Sequence, residues 1–406
     1  MFYGWYIVIV AMLTLLVSNG MTITGVTIFD PAILQEFGWS RGDLKLRDLL
    51  QLGLSGLMAP FVGTLADRMS VRKLMMAGLG LLSLCIVAYS QMTSLAHLYL
   101  INVGIALVLA LAGLVLNVLI VSRWFMRKRG TALGLTLVGT SLGGIVFPRL
   151  GAVLLRTHTW REAMLLEAVI PLIVLVVLAL VTRDSPAEIG LRPLGASEAA
   201  GPGQGASGME YRDAIRTRTF WILTFCAMTT FYCILAAQAH MVLHLKGMGW
   251  PLEKAAAGVG MLFTMGLVGK FLIGYLADKL ERRLVFLSNI SVMLVGALCL
   301  ASMQEPLLWP FILIFGLGWG GLYTMLQLTC MDSFGTRAGG KILGTITVLD
   351  ALGGGLGIWI TGVLFDRTKS YEGAFALIAG LVFLAFLAAL ALQNPEPRTE
   401  PVAARA

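Results

Sequence analysis

Residues 63–73 read GTLADRMSVRK: a glycine, then Asp67, then the basic residues Arg68, Arg72 and Lys73, at the end of a long apolar run. Gly63 lets two helices approach closely. Asp67 can accept hydrogen bonds from helix N-terminal amides or from a basic side chain, and the three cations can pair across a membrane face. The stretch returns at 274–279 as GYLADK, 211 positions on, with Asp278 in the place of Asp67 and Lys279, Arg282 and Arg283 behind it. Phe37-Gly38-Trp39 returns as Met248-Gly249-Trp250 at the same offset, and residues 129–134 (RGTALG) return loosely at 339–344 (GGKILG), 210 positions on. Three landmarks in register mark a duplicated unit, so the fold follows from what one unit contains.

Each unit contains six apolar runs. About 20 apolar residues cross the hydrocarbon of a bilayer, and spans are placed near 5–33, 44–65, 74–91, 97–122, 131–155, 162–182, 219–245, 252–276, 284–303, 307–331, 342–365 and 373–393. The expected fold is an all-α membrane protein of twelve transmembrane helices in two pseudo-symmetric six-helix bundles, 1–182 and 219–393. Residues 183–218, rich in Gly, Pro, Ser and Ala, read as a flexible linker, and 394–406 as a solvated tail. Lys and Arg are denser in the loops on the side of the linker and tail, which puts both termini in the cytoplasm of a multi-pass cell-membrane protein.

Composition agrees. Of 406 residues 58% are hydrophobic and 13% charged, with mean hydropathy +0.85, where soluble domains carry about 25% charged residues. The net charge of +8 sits in short loops, not on one patch, so nucleic acid is not an expected partner. Cys85, Cys226, Cys233, Cys299 and Cys330 lie in apolar runs without a CxxC, as packing residues do. The first run has no charged leader or cleavage site and reads as a retained span. No GxxxxGK[ST] or HExxH occurs, and no cofactor, metal site or enzyme activity is expected.

The 63–73 loop resembles the signature loop of the major facilitator superfamily. FYGWYIVIV at 2–10, EFGWSRGDL at 36–44 and RWFMRKRGTALG at 123–134 resemble its monocarboxylate-porter and oxalate/formate-antiporter branch. That resemblance spans essentially the whole chain. It implies a monomeric secondary transporter for a small, monocarboxylate-like organic anion, working by alternating access with protons or by exchange, by symport or antiport. Efflux of a hydrophobic drug or lipophilic anion is the alternative. In the branch, the loop charges hold the halves together when the cavity opens outward, which makes Gly63, Asp67, Arg68, Arg72, Lys73, Asp278, Arg282 and Arg283 gating candidates.

Ionisable groups inside spans point to function. Lys270 stands where the monocarboxylate family carries a substrate-binding Arg, four residues before the loop-motif Gly, and is the first candidate for the substrate anion. Asp350, at matching depth in span eleven, is the candidate for coupling and for pairing with Lys270 when substrate is absent. Asn117, Gln238, Trp319, Tyr323 and Gln327 are the softer substrate-site candidates. The 353–355 glycine run reads as a bend or a close-packing face. His240 and His244 share one helix face as a candidate outer gate; Arg149 is a candidate second anion contact, and Asp30, Arg47 and Asp48 read as outer-vestibule charges. The chain departs from animal members at Gly266, where they have an acidic residue, and at Thr24, the nearest position to their span-one Lys.

Overall fold

The computed structural model describes residues 2–195, 209–335 and 339–392, except the side chains at positions 60, 67, 323, 339 and 340. The middle of the expected linker and the whole expected tail lie outside the described residues. In chain order the long helices are α1 (Gly4–Ile28), α2 (Arg41–Arg68), α3 (Val71–Ser90), α4 (Leu95–Trp124), α5 (Arg129–Leu154), α6 (Trp160–Val181), α7 (Arg218–Gly247), α8 (Leu252–Lys279), α9 (Arg282–Ala301), α10 (Glu305–Phe334), α11 (Lys341–Thr368) and α12 (Glu372–Leu390). Eleven of these are long and apolar enough to cross a membrane. The twelfth, α2, has the length, 28 residues; it carries Asp43, Lys45, Arg47 and Asp48 in its first turns and an uncharged, largely apolar stretch at 49–66. The outer faces of the helices are apolar: Leu100 and Leu180 are 71% and 69% exposed, as in side chains that meet lipid.

Local chemistry sets the helix ends. Ser40, Ser70, Ser94 and Thr217 each accept a bond from the backbone N–H three residues on, and Thr159 with Glu162 forms a capping box at the start of α6. The repeated Gly-Trp pair has a conformational reason. Gly38 and Gly249 both take left-handed φ, +65° and +83°, at the turns before α2 and α8. Three helices are broken, α6 among them, at Ala168. In α1 a π turn, Gly20–Thr24, runs into a 3-10 turn, Gly25–Ile28, before the short helix Asp30–Phe37. In α4 the break is at Gly113.

The packing repeats with a shift of six helices. α1 packs on α5 and α6, α2 on α4, and α3 on α4 and α6. In the same way α7 packs on α11 and α12, α8 on α10, and α9 on α10 and α12. The two bundles meet along α2–α11 and along α5–α8, pairs that exchange under the same shift. Glycine permits the close crossings. A Cβ on Gly139 would meet the Met12 carbonyl oxygen at 2.1 Å, between α5 and α1. On Gly357 it would meet the Tyr232 carbonyl oxygen at 2.4 Å, between α11 and α7. The 353–355 run belongs to this packing: Gly353 and Gly354 lie against Met228 and Leu235 of α7, and Gly355 against Leu49 of α2.

Parts of the linker are held rather than free. Leu194 exchanges backbone bonds with Trp124, Met126 and Arg127, Met209 N–H donates to the Phe334 carbonyl, and the Tyr211 and Thr345 hydroxyls lie 3.0 Å apart. Pro186 and Ala214 are buried. Low complexity in the middle of the segment hid these anchored flanks.

Candidate functional site: a cleft between two bundles

Among the described residues, the contacts between bundles lie in one half of the molecule, the half away from the N-terminus and linker, here called the distal half. Along α2–α11, Gly362 lies against Arg41 and Gly42, Gly355 against Leu49, and Gly53 and Gly56 reach Leu352 and Ala351 at 3.9 Å. One to two turns further along α2, nothing described lies within 4 Å of a Cβ on Gly63. Along α5–α8, Arg156 pairs with Glu253, Gly260 lies against Arg149, Gly144 against Phe263, and Lys270 bonds to α5; a Cβ on Gly134 then meets open space. The bundles therefore diverge toward the face that carries the N-terminus and linker.

Lys270 stands where the α5–α8 contact ends. Its Nζ donates to Ser141 Oγ at 2.9 Å, with Thr140 Oγ1 at 3.5 Å, and lies 5.9 Å from the Trp319 ring centre. Among the described residues no carboxylate comes within ion-pair distance of it. Trp319 stands edge-on to Phe263 at 4.9 Å, packed over Gly266. An acidic side chain at 266 would occupy the volume of this indole, which accounts for that departure from the animal pattern. Residues 139–143 also fit the G-x-S-x-G spacing of a serine nucleophile. Ser141, however, sits in mid-helix with its hydroxyl on Lys270 and no imidazole bonded to it among the described residues.

The other candidates divide. Asp350 is 3% exposed on α11, with no bond to Lys270; the two are not a pair here. Asn117 turns away from the cleft: its amide donates to the Ala112 and Gly113 carbonyls and closes the break in α4. Gln238 is buried with no partner for Nε2 among the described residues, Gln327 is half-buried, and the side chain of Tyr323 lies outside the described residues. The loop charges stay within their own bundles. Arg72 donates its backbone N–H to Asp184 and its guanidinium to the Ala179 carbonyl; Arg282 pairs with Asp332; Arg283 donates to the Leu390 carbonyl. Arg68, Lys73 and Asp278 are exposed, and the Asp67 side chain lies outside the described residues. Among the described residues no hydrogen bond or ion pair joins Arg68, Arg72, Lys73, Asp278, Arg282 or Arg283 to the opposite bundle.

The distal closure holds groups the sequence did not single out. The Asp366 carboxylate, near the end of α11, accepts the backbone N–H of Arg41 at 2.9 Å and of Gly42 at 2.5 Å, so it caps the start of α2 in the other bundle. The Arg41 guanidinium lies over the Phe365 ring, 3.6 Å from its centre. His240 sits between the Tyr371 hydroxyl, 2.9 Å, and the Ile358 carbonyl, 2.8 Å, as a buried link between α7 and the distal end of α11. Asp30, Arg47 and Asp48 are not vestibule charges. Asp30 takes Lys45 and Arg47, each at 2.6 Å, Arg47 also donates to the Tyr89 hydroxyl, and all five groups are at most 3% exposed. Buried charges need this kind of mutual satisfaction. Lys45 was the partner the sequence reading omitted.

Two bundles of like topology meeting over a cleft are the architecture of a membrane transporter. The chain matches the Major Facilitator Superfamily over residues 10–358 and belongs to that family. It is 29% identical to Monocarboxylate transporter 13 of Bos taurus, over 80% of this chain and 74% of that protein. It is 24% identical to a gallate transporter of Pseudomonas putida, over 98% and 94%. The solved D-xylose-proton symporter superposes with a TM-score of 0.78 at 14% identity, covering 97% and 99%. A bacterial homolog of the human lysosomal transporter Spinster, in an inward-facing and occupied conformation, superposes at 0.74 and 16%, covering 95% and 94%.

Proposed function

We propose that this protein is a secondary transporter for a small organic anion and that Lys270 binds the anionic group. The observation that carries this is a Lys with no carboxylate partner among the described residues, at the closed end of the cleft, held by two hydroxyls of the opposite bundle beside Trp319. An anion entering such a site needs a fixed counter-charge, because an unpaired ion there costs several kcal/mol. Ser141 and Thr140 can be exchanged for a carboxylate with little loss, since neutral hydroxyl bonds are the weaker ones. Phe263 and Trp319 would pack on the carbon skeleton. The names of the relatives support the class: monocarboxylates and gallate are both carboxylates. With the linker face cytoplasmic, as the Lys and Arg distribution implies, the state described is inward-open. Binding of an anion between Lys270 and α5 is then the contact that draws the bundles together. Gly63, Asp67, Arg68, Arg72, Lys73, Asp278, Arg282 and Arg283 stand at the rim that closes when the distal face opens. Asp350 is assigned to coupling, as the buried carboxyl on the helix that joins both gates.

The test is uptake by purified protein in liposomes against a panel of mono- and dicarboxylates, with and without a pH gradient. Lys270→Ala is expected to abolish anion uptake while leaving the protein folded. Asp350→Asn is expected to keep binding and to remove the driving of net transport by an imposed pH gradient. Saturable carboxylate uptake by Lys270→Ala at the wild-type rate would refute the anion assignment.

A further inference from the structure

The N-terminal bundle contains a second buried acid that the cleft does not use. Glu167, on α6, is 4% exposed and lines a cavity of about 30 Å³ between α1, α3, α4 and α6. Its Oε1 has no hydrogen-bond partner among the described residues. The cavity exceeds the roughly 10–15 Å³ that one water needs. Its polar walls are Thr22, Tyr89 and Asn102, and each is engaged elsewhere. The Thr22 hydroxyl donates to the Ser18 carbonyl, the Asn102 amide to the Leu98 carbonyl, and the Tyr89 hydroxyl accepts from Arg47. The rest of the wall is apolar, chiefly Met21, Val26, Phe29 and Ile105. A metal cation asks for about six oxygen ligands, which this wall does not supply. A proton asks for one.

Among the described residues no spare cation faces Glu167. Tyr89 on α3 is the titratable group sharing the wall. Behind it, Lys45 and Arg47 are matched by Asp30 and Asp48, two against two. Cys85 of α3 lies against Gly104, and Arg149 of α5 is turned to Gly260 of α8. On its own helix Arg161 pairs with Glu36, and Glu162 caps Thr159. An ionised Glu167 would be an uncompensated charge, which costs several kcal/mol at such a site; a neutral one would not. The wall also includes the one stretch of α1 that is not α-helical: Met21 and Thr22 in the π turn and Val26 in the 3-10 turn. Such turns mark adjustable places in a helix.

We propose that Glu167 is a proton-binding site of the N-terminal bundle and that its proton holds the broken segment of α1 in the form that closes the distal face. Loss of the proton admits water at α1 and favours distal opening. This site is separate from Lys270, and both readouts below need no transported anion, so failure of the anion reading leaves it testable.

The first readout is infrared difference spectroscopy of the full-length protein in lipid. With the buried Asp350 removed by Asp350→Asn, a protonated-carboxyl C=O band is expected near neutral pH and is expected to be absent once Glu167→Gln is added to that variant. The second is labelling of a cysteine at Leu352 from the distal face. Labelling is normalised at each pH to that of the denatured protein, which removes the titration of the thiol itself; raising pH is then expected to increase it in wild type and in Asp350→Asn, by up to about tenfold per pH unit for one linked proton. Glu167→Gln, a permanently neutral mimic, is expected to label at the low-pH level throughout. Glu167→Asp keeps a carboxyl and should keep both signals, which guards against a folding defect in the Gln variant. A band that survives Glu167→Gln in the Asp350→Asn background, or an unaltered pH response of normalised labelling in Glu167→Gln, overturns the proposal.

Discussion

Asp366→Asn isolates the energy of the distal closure. In the wild type one carboxylate accepts two backbone N–H groups at the first two residues of α2. Hydrogen bonds to a charged group contribute about 1.5–3 kcal/mol each, and an anion at a helix N-terminus adds about 0.3–1 kcal/mol. Asn keeps the shape and one acceptor oxygen, but loses the charge and the second acceptor. Asp366 is half-buried, so solvent screening lowers the loss, and about 2 kcal/mol is expected. At about 1.4 kcal/mol per factor of ten, the distally open population should rise about 30-fold relative to the closed one. The assay is labelling of a cysteine at Leu352, which lies against Gly53 within the closure, by an impermeant maleimide from the distal side. The half-buried Cys299 is first replaced by Ser to remove background. Labelling within about twofold of wild type would refute the reasoning and reduce the Asp366 cap to a passive neighbour of α2.

Two further outcomes test the packing. Gly320→Ala would put a methyl 1.8 Å from the Gly266 carbonyl oxygen, so α8 and α10 must separate; a loss of at least about 1–3 kcal/mol is expected, read as a lower Tm in detergent, and an unchanged Tm would contradict the close crossing. Glu36 is held below the ordinary carboxylate range, first by its hydrogen bond from Arg161 and then by that from Trp160. A depressed carboxylate contributes stability above its unfolded value, near 4.5, and loses it as pH falls through the folded value. The pair is largely exposed, 31% and 42%, so Glu36→Gln should destabilise by less than about 1 kcal/mol at neutral pH and converge with wild type in acid, a difference that denaturant melts at both pH values would resolve.

What could be read in the sequence was what lies within one helix or one repeat. Gly38 and Gly249 stand at equal offset because both end a helix with left-handed φ, and that local need is visible without a structure. The span positions follow from apolar length alone. The partners of charges were not visible. Asp366 bonds to residues 324 and 325 positions away, and nothing local to it indicates a helix start in the other bundle. Asn117 looked like a cavity group because a polar residue in an apolar run is conspicuous. Whether it faces a cavity or mends a break at Gly113 depends on backbone geometry four residues earlier. Glu167 was passed over for the opposite reason. It follows Arg161 and Glu162, which belong to a helix start, and the apolar run that buries it begins just after.

The two contacts that close the distal face occupy equivalent places under the internal repeat but differ in kind. Shifting Asp366 and Gly42 by 211 positions brings them to the neighbourhood of Arg156 and to Glu253, the residues that join the end of α5 to the start of α8. On the α2–α11 side the contact is a carboxylate on two helix-terminal amides, backed by Arg41 over Phe365 and by His240 between Tyr371 and Ile358. On the α5–α8 side it is a salt bridge with side chains 59% and 46% exposed, a geometry that contributes about 0–1 kcal/mol. The closure is therefore unequal across a near-symmetric interface. Its strength lies with α2 and α11, the helices that carry Asp366 and Asp350. Its weak side lies with α5 and α8, where Lys270 reaches Ser141. For a transporter that opens at the distal face, as proposed above, separation is expected to begin along α5–α8, with the α2–α11 contact as the pivot until the Asp366 cap is released.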